Sequence, residues 1–163
     1  MEYNLIMTNA HKPKNAAASL PRTSEKTTEP SIEGPITKQK YKRILYVDDE
    51  IGLRRAMGRK LKETGATEIV TARDVADAMT ILQSDRNFDV IVCDLDMPGG
   101  NALKLIEQMK QTEIQIPVIV FSGGFISATP EQILEAGALA LFEKGSESRL
   151  NDMIVRITGI INN

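Results

Sequence analysis

Residues 91–100 read Ile-Val-Cys-Asp-Leu-Asp-Met-Pro-Gly-Gly, and this stretch decides the fold. From Phe88 the chain is, Asp89 apart, apolar and rich in Val and Ile, the pattern of a strand buried on both faces. The run stops at Asp94, and Met97-Pro98-Gly99-Gly100 then forces a loop. In a parallel α/β sheet the carboxyl ends of the strands form the crevice where ligands bind. Asp94 is therefore a carboxylate at the mouth of a sheet.

Three other segments reach the same edge. Arg43–Val47 ends in Asp48-Asp49-Glu50, Ile116–Phe121 ends in Ser122-Gly123-Gly124, and Ala138–Phe142 ends in Glu143-Lys144-Gly145. Between them the chain alternates strand and helix five times. Strands are expected at Arg43–Val47, Thr67–Thr71, Phe88–Cys93, Val118–Phe121 and Leu139–Phe142. The helices are expected over about Ile51–Thr64, Asp74–Gln83, Ala102–Lys110, Pro130–Ala136 and Glu147–Ile161. Their apolar positions recur on one face: Leu53, Met57 and Leu61; Val75, Ala78, Met79 and Leu82; Leu103, Ile106 and Met109; Leu150, Ile154, Ile157 and Ile161. Gly65 reads as a helix stop, and Pro130 suits a first helical turn. Short strand–helix connections predict an α/β fold: a doubly wound, five-stranded parallel sheet with helices on both faces. In the flavodoxin-like order 2-1-3-4-5, Asp48, Asp49 and Asp94 stand side by side at the switch point.

This set resembles the receiver domain of two-component response regulators, of the stand-alone type, over roughly Lys42 to Ile161. The resemblance lies in the acidic pair after the first strand, the aspartate before Met-Pro, the Ser after the fourth strand and the Lys after the fifth. It implies that Asp94 accepts a phosphoryl group from a histidine kinase or phosphotransfer protein. Asp49 and Asp94 would ligate Mg²⁺, the backbone carbonyl of Asp96 would add a ligand, and Asp48 would act through water. Lys144 would pair with one phosphoryl oxygen and Ser122 with another. The output would be binding to a downstream protein, not turnover of a substrate, so an enzyme is not expected. The chemistry is sound, since a carboxylate is a competent nucleophile toward phosphorus once a cation offsets the charge on both partners. Asp49 or Glu50 could equally cap the first helix. Ser122 alone reads as a turn residue, and Lys144 alone as a surface lysine. Three positions depart from the family: Gly145 replaces the usual proline, Ala102 a common glycine, and Leu141 an aromatic switch residue.

The 163 residues are 42% hydrophobic, enough for a core, and contain no Trp and one Cys, which excludes an internal disulfide. No apolar run approaches the ~20 residues that span a bilayer, and the start lacks a signal-peptide pattern, so a cytoplasmic protein without membrane insertion is expected. Residues 1–40 are rich in Thr, Ser, Pro, Ala, Asn and Lys without period, and read as a disordered leader before a receiver domain at 41–163. Only two asparagines follow the last helix, so no output domain is expected. Up to Arg43 there are eight basic residues against four acidic, a surplus of +4 that leaves −6 for the remainder of a net charge of −2. An acidic body argues against direct nucleic-acid binding. The basic face at Arg54, Arg55 and Arg59 reads as solvated, His11 as isolated, and Cys93 as a small buried residue.

Two other functions compete. A haloacid-dehalogenase-like phosphatase also uses Asp-x-Asp, matched by Asp94-Leu95-Asp96, but carries it on the first strand; here Asp48-Asp49 come first. A receiver fold that no longer takes phosphate and serves only as an interaction module is the other.

Overall fold

The computed structural model describes residues 42–124 and 127–163. The leader expected over 1–40 lies outside them. Five parallel strands form the central sheet: β1 (Arg43–Val47), β2 (Glu68–Ala72), β3 (Val90–Cys93), β6 (Val118–Ser122) and β7 (Ala140–Glu143). Their order is β2-β1-β3-β6-β7, which is 2-1-3-4-5 when the five are counted alone. The parallel pairings of β1 with β2 and β3, of β3 with β6, and of β6 with β7 bear out the doubly wound reading. A two-stranded antiparallel ribbon, β4 (Asp96–Met97) with β5 (Gly100–Asn101), follows the third strand and was not expected; Pro98-Gly99 make its turn. Gly99 takes φ +84°, which suits glycine.

Alternation along the strands sends successive side chains to opposite faces. Leu45, Val47, Ile91, Cys93, Val118 and Val120 pack into one core with Ala78, Leu82, Leu105 and Ile133. Ile44, Tyr46, Val90, Val92, Ile119 and Phe121 pack into the other with Met57, Leu61, Met153, Ile157 and Ile161. The two cores put α2 (Val75–Ser84), α3 (Ala102–Gln111) and α4 (Pro130–Glu135) on one face. Helices α1 (Ile51–Lys60) and α5 (Glu147–Ile161) cover the other.

Local chemistry sets the boundaries. Asp74 caps α2 by accepting from the Asp77 N–H, Asn101 caps α3 through Lys104, and Thr129 with Gln132 forms a capping box before Pro130. Helix α1 ends earlier than the apolar period predicts: Leu61–Thr64 tighten into a 3₁₀ turn, where the Thr64 hydroxyl donates to Leu61 O at 2.6 Å. Gly65 then takes φ +84°, the expected stop. In α3 the buried residues are Ala102, Leu105, Ile106 and Met109, so Leu105 joins the inward face, and Leu103 packs half-buried against the same core. In α5, Met153 is buried ahead of Leu150 and Ile154, which are half-buried. Leu141 is also only half-buried, because β7 is an edge strand. No described helix is long and apolar enough to cross a membrane.

Candidate functional site

Register brings the carboxylates together. Val47 and Cys93 are partners across β1 and β3, so the next residue on each strand, Asp48 and Asp94, leaves the sheet at the same level. The backbone fixes both: Asp94 N–H donates to Val47 O at 2.8 Å, and Asp48 N–H to Ala72 O at 3.1 Å. Asp49 follows on the loop, exposed. One carboxylate oxygen from each of Asp48, Asp49 and Asp94 lies within 4.8 Å of the others.

Lys144 closes the cluster. Its Nζ lies 2.9 Å from Asp48 Oδ2 and 3.0 Å from Asp94 Oδ1, bridging two carboxylates that are 0% and 12% exposed. Asp48 is the better satisfied of the two. Its Oδ2 also accepts from the Tyr46 hydroxyl at 2.8 Å, and its Oδ1 accepts the Glu50 N–H at 2.9 Å. On Asp94, Oδ1 accepts the Leu95 N–H at 2.9 Å as well as Lys144, and Oδ2 meets no donor among the described residues. Burial raises the Asp94 carboxyl above the usual range; the Lys144 charge and hydrogen bond oppose this, and the Asp48 charge adds to it. Burial pulls the other way on Lys144, yet hydrogen bonds and charges from Asp48 and Asp94 outweigh it and leave the ammonium raised. Burial comes ahead of the neighbouring acids in pushing the Cys93 thiol up, which fits an inert core residue.

The loops around this cluster contain details that the linear reading missed. Arg54, taken from sequence as part of a solvated face, donates from Nη1 to the carbonyls of Asp48 at 2.6 Å and Asp49 at 2.8 Å. It clips the loop that carries both acids. Glu50 occupies the N-cap position of α1 without a capping hydrogen bond from its side chain, and Asp49 offers none, so the helix-cap alternative is not what these acids do. Asp96 opens the small ribbon and lines a cleft with Met97, Asn101, Lys104 and Ser127. Ser122 reaches the edge, buried, but its hydroxyl donates to Gly124 O within its own loop instead of facing Asp94. The peptide after Lys144 is trans, and Gly145 takes φ +91°. That is the left-handed region, closed to the proline found there in the family. Lys144 is nonetheless firmly aimed, by its two carboxylates and by its N–H donating to Ser122 O at 2.7 Å.

A model of the response regulator receiver domain matches residues 44–155. The chain belongs to the receiver family. The regulator of RpoS from Escherichia coli K12 is 37% identical over 100 residues, which are 61% of this chain and 28% of that protein. The sensor histidine kinase RcsC from the same strain is 28% identical over 108 residues, 66% of this chain and 11% of the kinase. The chain thus spans well under half the length of these relatives. Among solved receivers, the response regulator TrrA from Thermotoga maritima, in complex with Mg²⁺ and BeF, is 26% identical with a TM-score of 0.60. The match covers 71% of this chain and 98% of that one. Nothing in these likenesses supports the haloacid-dehalogenase alternative. Receivers bind Mg²⁺ at an acidic pocket, and this receiver's three clustered aspartates are the oxygen donors that a hard divalent cation takes.

Proposed function

We propose that this receiver accepts a phosphoryl group on Asp94 from a histidine kinase or a phosphotransfer protein and signals by binding a downstream protein. The observation that carries the reading is the juxtaposition of three carboxylates within 4.8 Å with a lysine bridging two of them. Asp94 Oδ2 is the oxygen that meets no donor among the described residues, and is the one we assign as nucleophile. It forms a bond to phosphorus as the donor's phosphorus–nitrogen bond breaks, and the electron pair leaves with the donor's imidazole. Asp49 and Asp94, with the Asp96 carbonyl, would hold Mg²⁺, and Asp48, already taken by three protein donors, would serve it through water. When bound, the ion neutralises charge between the carboxylates and the incoming phosphate oxygens.

Lys144 holds the place a phosphoryl oxygen would take beside Asp94, and would pair with that oxygen after transfer. Ser122 would turn from Gly124 O to another phosphoryl oxygen. Leu141 has no hydroxyl and is half-buried, so the output would run through loop or helix displacement, not an aromatic rotamer. A cytoplasmic site of action and the absence of nucleic-acid contact by the acidic domain complete the reading.

Acetyl phosphate with Mg²⁺ tests it by intact mass. Wild type should gain one phosphate per chain and Asp94→Asn none. A modified Asp94→Asn would move the acceptor elsewhere. A wild type that stays unmodified would leave only the interaction-module reading.

A further inference from the structure

The chemistry above makes no use of the most deeply placed hydroxyl at the site. Tyr46 is wholly buried between the sheet and the α1–α5 layer, where the rest of its core is Ile, Val, Leu, Met and Phe. Phenylalanine would fill the same volume without a polar atom, and a phenol in such a place costs stability unless it is paired. Its partner is Asp48, two residues on and so on the same face of the strand, at 2.8 Å. Asp48 is itself 0% exposed, so both groups are withdrawn from bulk solvent. The phenol and Lys144 Nζ both donate to Oδ2, while the Glu50 N–H holds Oδ1.

We propose that Tyr46 is a positioning residue for the acidic site. Its hydroxyl locks the Asp48 carboxylate with Oδ2 toward Lys144, which keeps the ammonium between Asp48 and Asp94 and keeps Asp48 turned to meet the hydrated cation. The inference rests on the phosphoryl-acceptor reading and adds a residue to it. Without the phenol, the Asp48 carboxylate keeps two of its three donors, and its orientation rests on the Glu50 N–H and on Lys144, the group it is meant to anchor. Outer residues that orient a metal's ligands typically change affinity by tenfold or more.

The test is Tyr46→Phe in the full chain. Calorimetric titration with Mg²⁺ should give a dissociation constant raised by about tenfold. Acetyl phosphate modification should be slowed at low Mg²⁺ and largely recovered at saturating Mg²⁺. A folded Tyr46→Phe that binds Mg²⁺ with the wild-type constant, whatever its melting temperature, would show that Tyr46 only fills the core. A second measurement does not depend on that variant folding. The chain has three tyrosines and no Trp, so in a Tyr3→Phe/Tyr41→Phe background the near-ultraviolet tyrosine band belongs to Tyr46 alone. Adding Mg²⁺ should shift that band, and an unmoved band overturns the proposal. Wild type that binds no Mg²⁺ and takes no phosphate overturns the reading beneath it, an outcome distinct from a normal wild type with an indifferent Tyr46→Phe.

Discussion

The two ends of the sheet handle the same problem in opposite ways. At the amino-terminal end, Arg43 faces Glu68 at 2.7 Å and Asp85 at 2.6 Å, donates to the Asn87 carbonyl and lies over the Phe88 ring, while its own N–H goes to Asp89. At the carboxyl-terminal end, Lys144 faces Asp48 and Asp94. Each cation thus meets two acids. What differs is water: Glu68 and Asp85 are 51% and 41% exposed, Asp48 and Asp94 are 0% and 12%. The Asp85 carboxyl is accordingly held below its usual range, by the Arg43 hydrogen bond first, whereas burial raises that of Asp94. An acid surplus left in solvent is a staple. The same surplus withdrawn from solvent is left with one lysine to offset two carboxylates, which is where the proposed cation would add most.

The largest test of the contrast is Mg²⁺ itself. Wild type should gain about 2.7 kcal/mol when the metal reaches a hundred times its dissociation constant, read as a rise in melting temperature. An Asp94→Asn/Asp49→Asn double variant should gain almost none; a full gain there would relocate the ion. Arg43→Met comes next. It should cost about 1–2 kcal/mol, since its partners are partly solvated, and leave acetyl phosphate modification at the wild-type level. Impaired modification would mean that the two ends are coupled through β1.

The two aspartates should then show melting profiles of opposite sign with pH. Asp85 contributes stability above its unfolded pKa, and this is lost as pH falls through its depressed folded value. Asp85→Asn should therefore melt lower than wild type at neutral pH, the deficit fading in acid. Asp94 destabilises the fold once pH exceeds its unfolded pKa, in full above its raised folded value, and the effect is relieved as pH falls. Asp94→Asn in chelator should melt higher than wild type at neutral pH and converge with it in acid. Parallel profiles would break the comparison. The smallest effect belongs to Asp49→Asn, which relieves an exposed like charge without losing a cap. It should melt slightly higher than wild type in chelator, by a few tenths of a kcal/mol, and respond weakly to Mg²⁺. A lower melting point would make Asp49 a support of its loop.

Strand ends and helix faces were legible in the linear chain because they depend on period and punctuation. Val75, Ala78, Met79 and Leu82 are all inward, and β1 and α5 start and end where the pattern places them. The convergence of Asp48, Asp49, Asp94, Ser122 and Lys144 at one edge was legible for the same reason, since each closes an apolar run. Less legible was whatever depends on where a side chain turns. Arg54 is one of several arginines on α1 by sequence, and only the path of the acidic loop makes it a clip. Tyr46 looks like core because it is core; the two-residue offset to Asp48 was the available signal. The inward turn of Ser122 onto Gly124 is a loop conformation, which neither period nor residue type encodes.

The hydrogen bond from Lys144 N–H to Ser122 O has a mechanical meaning. It is a rung between two neighbouring strands, fastened at the two residues proposed above to grip one phosphate. The spacing of hydroxyl and ammonium is therefore gauged by the pitch of a β-ladder, the stiffest ruler a small protein owns. Either grip can swivel on its own side chain, but neither can drift from the other without tearing that rung.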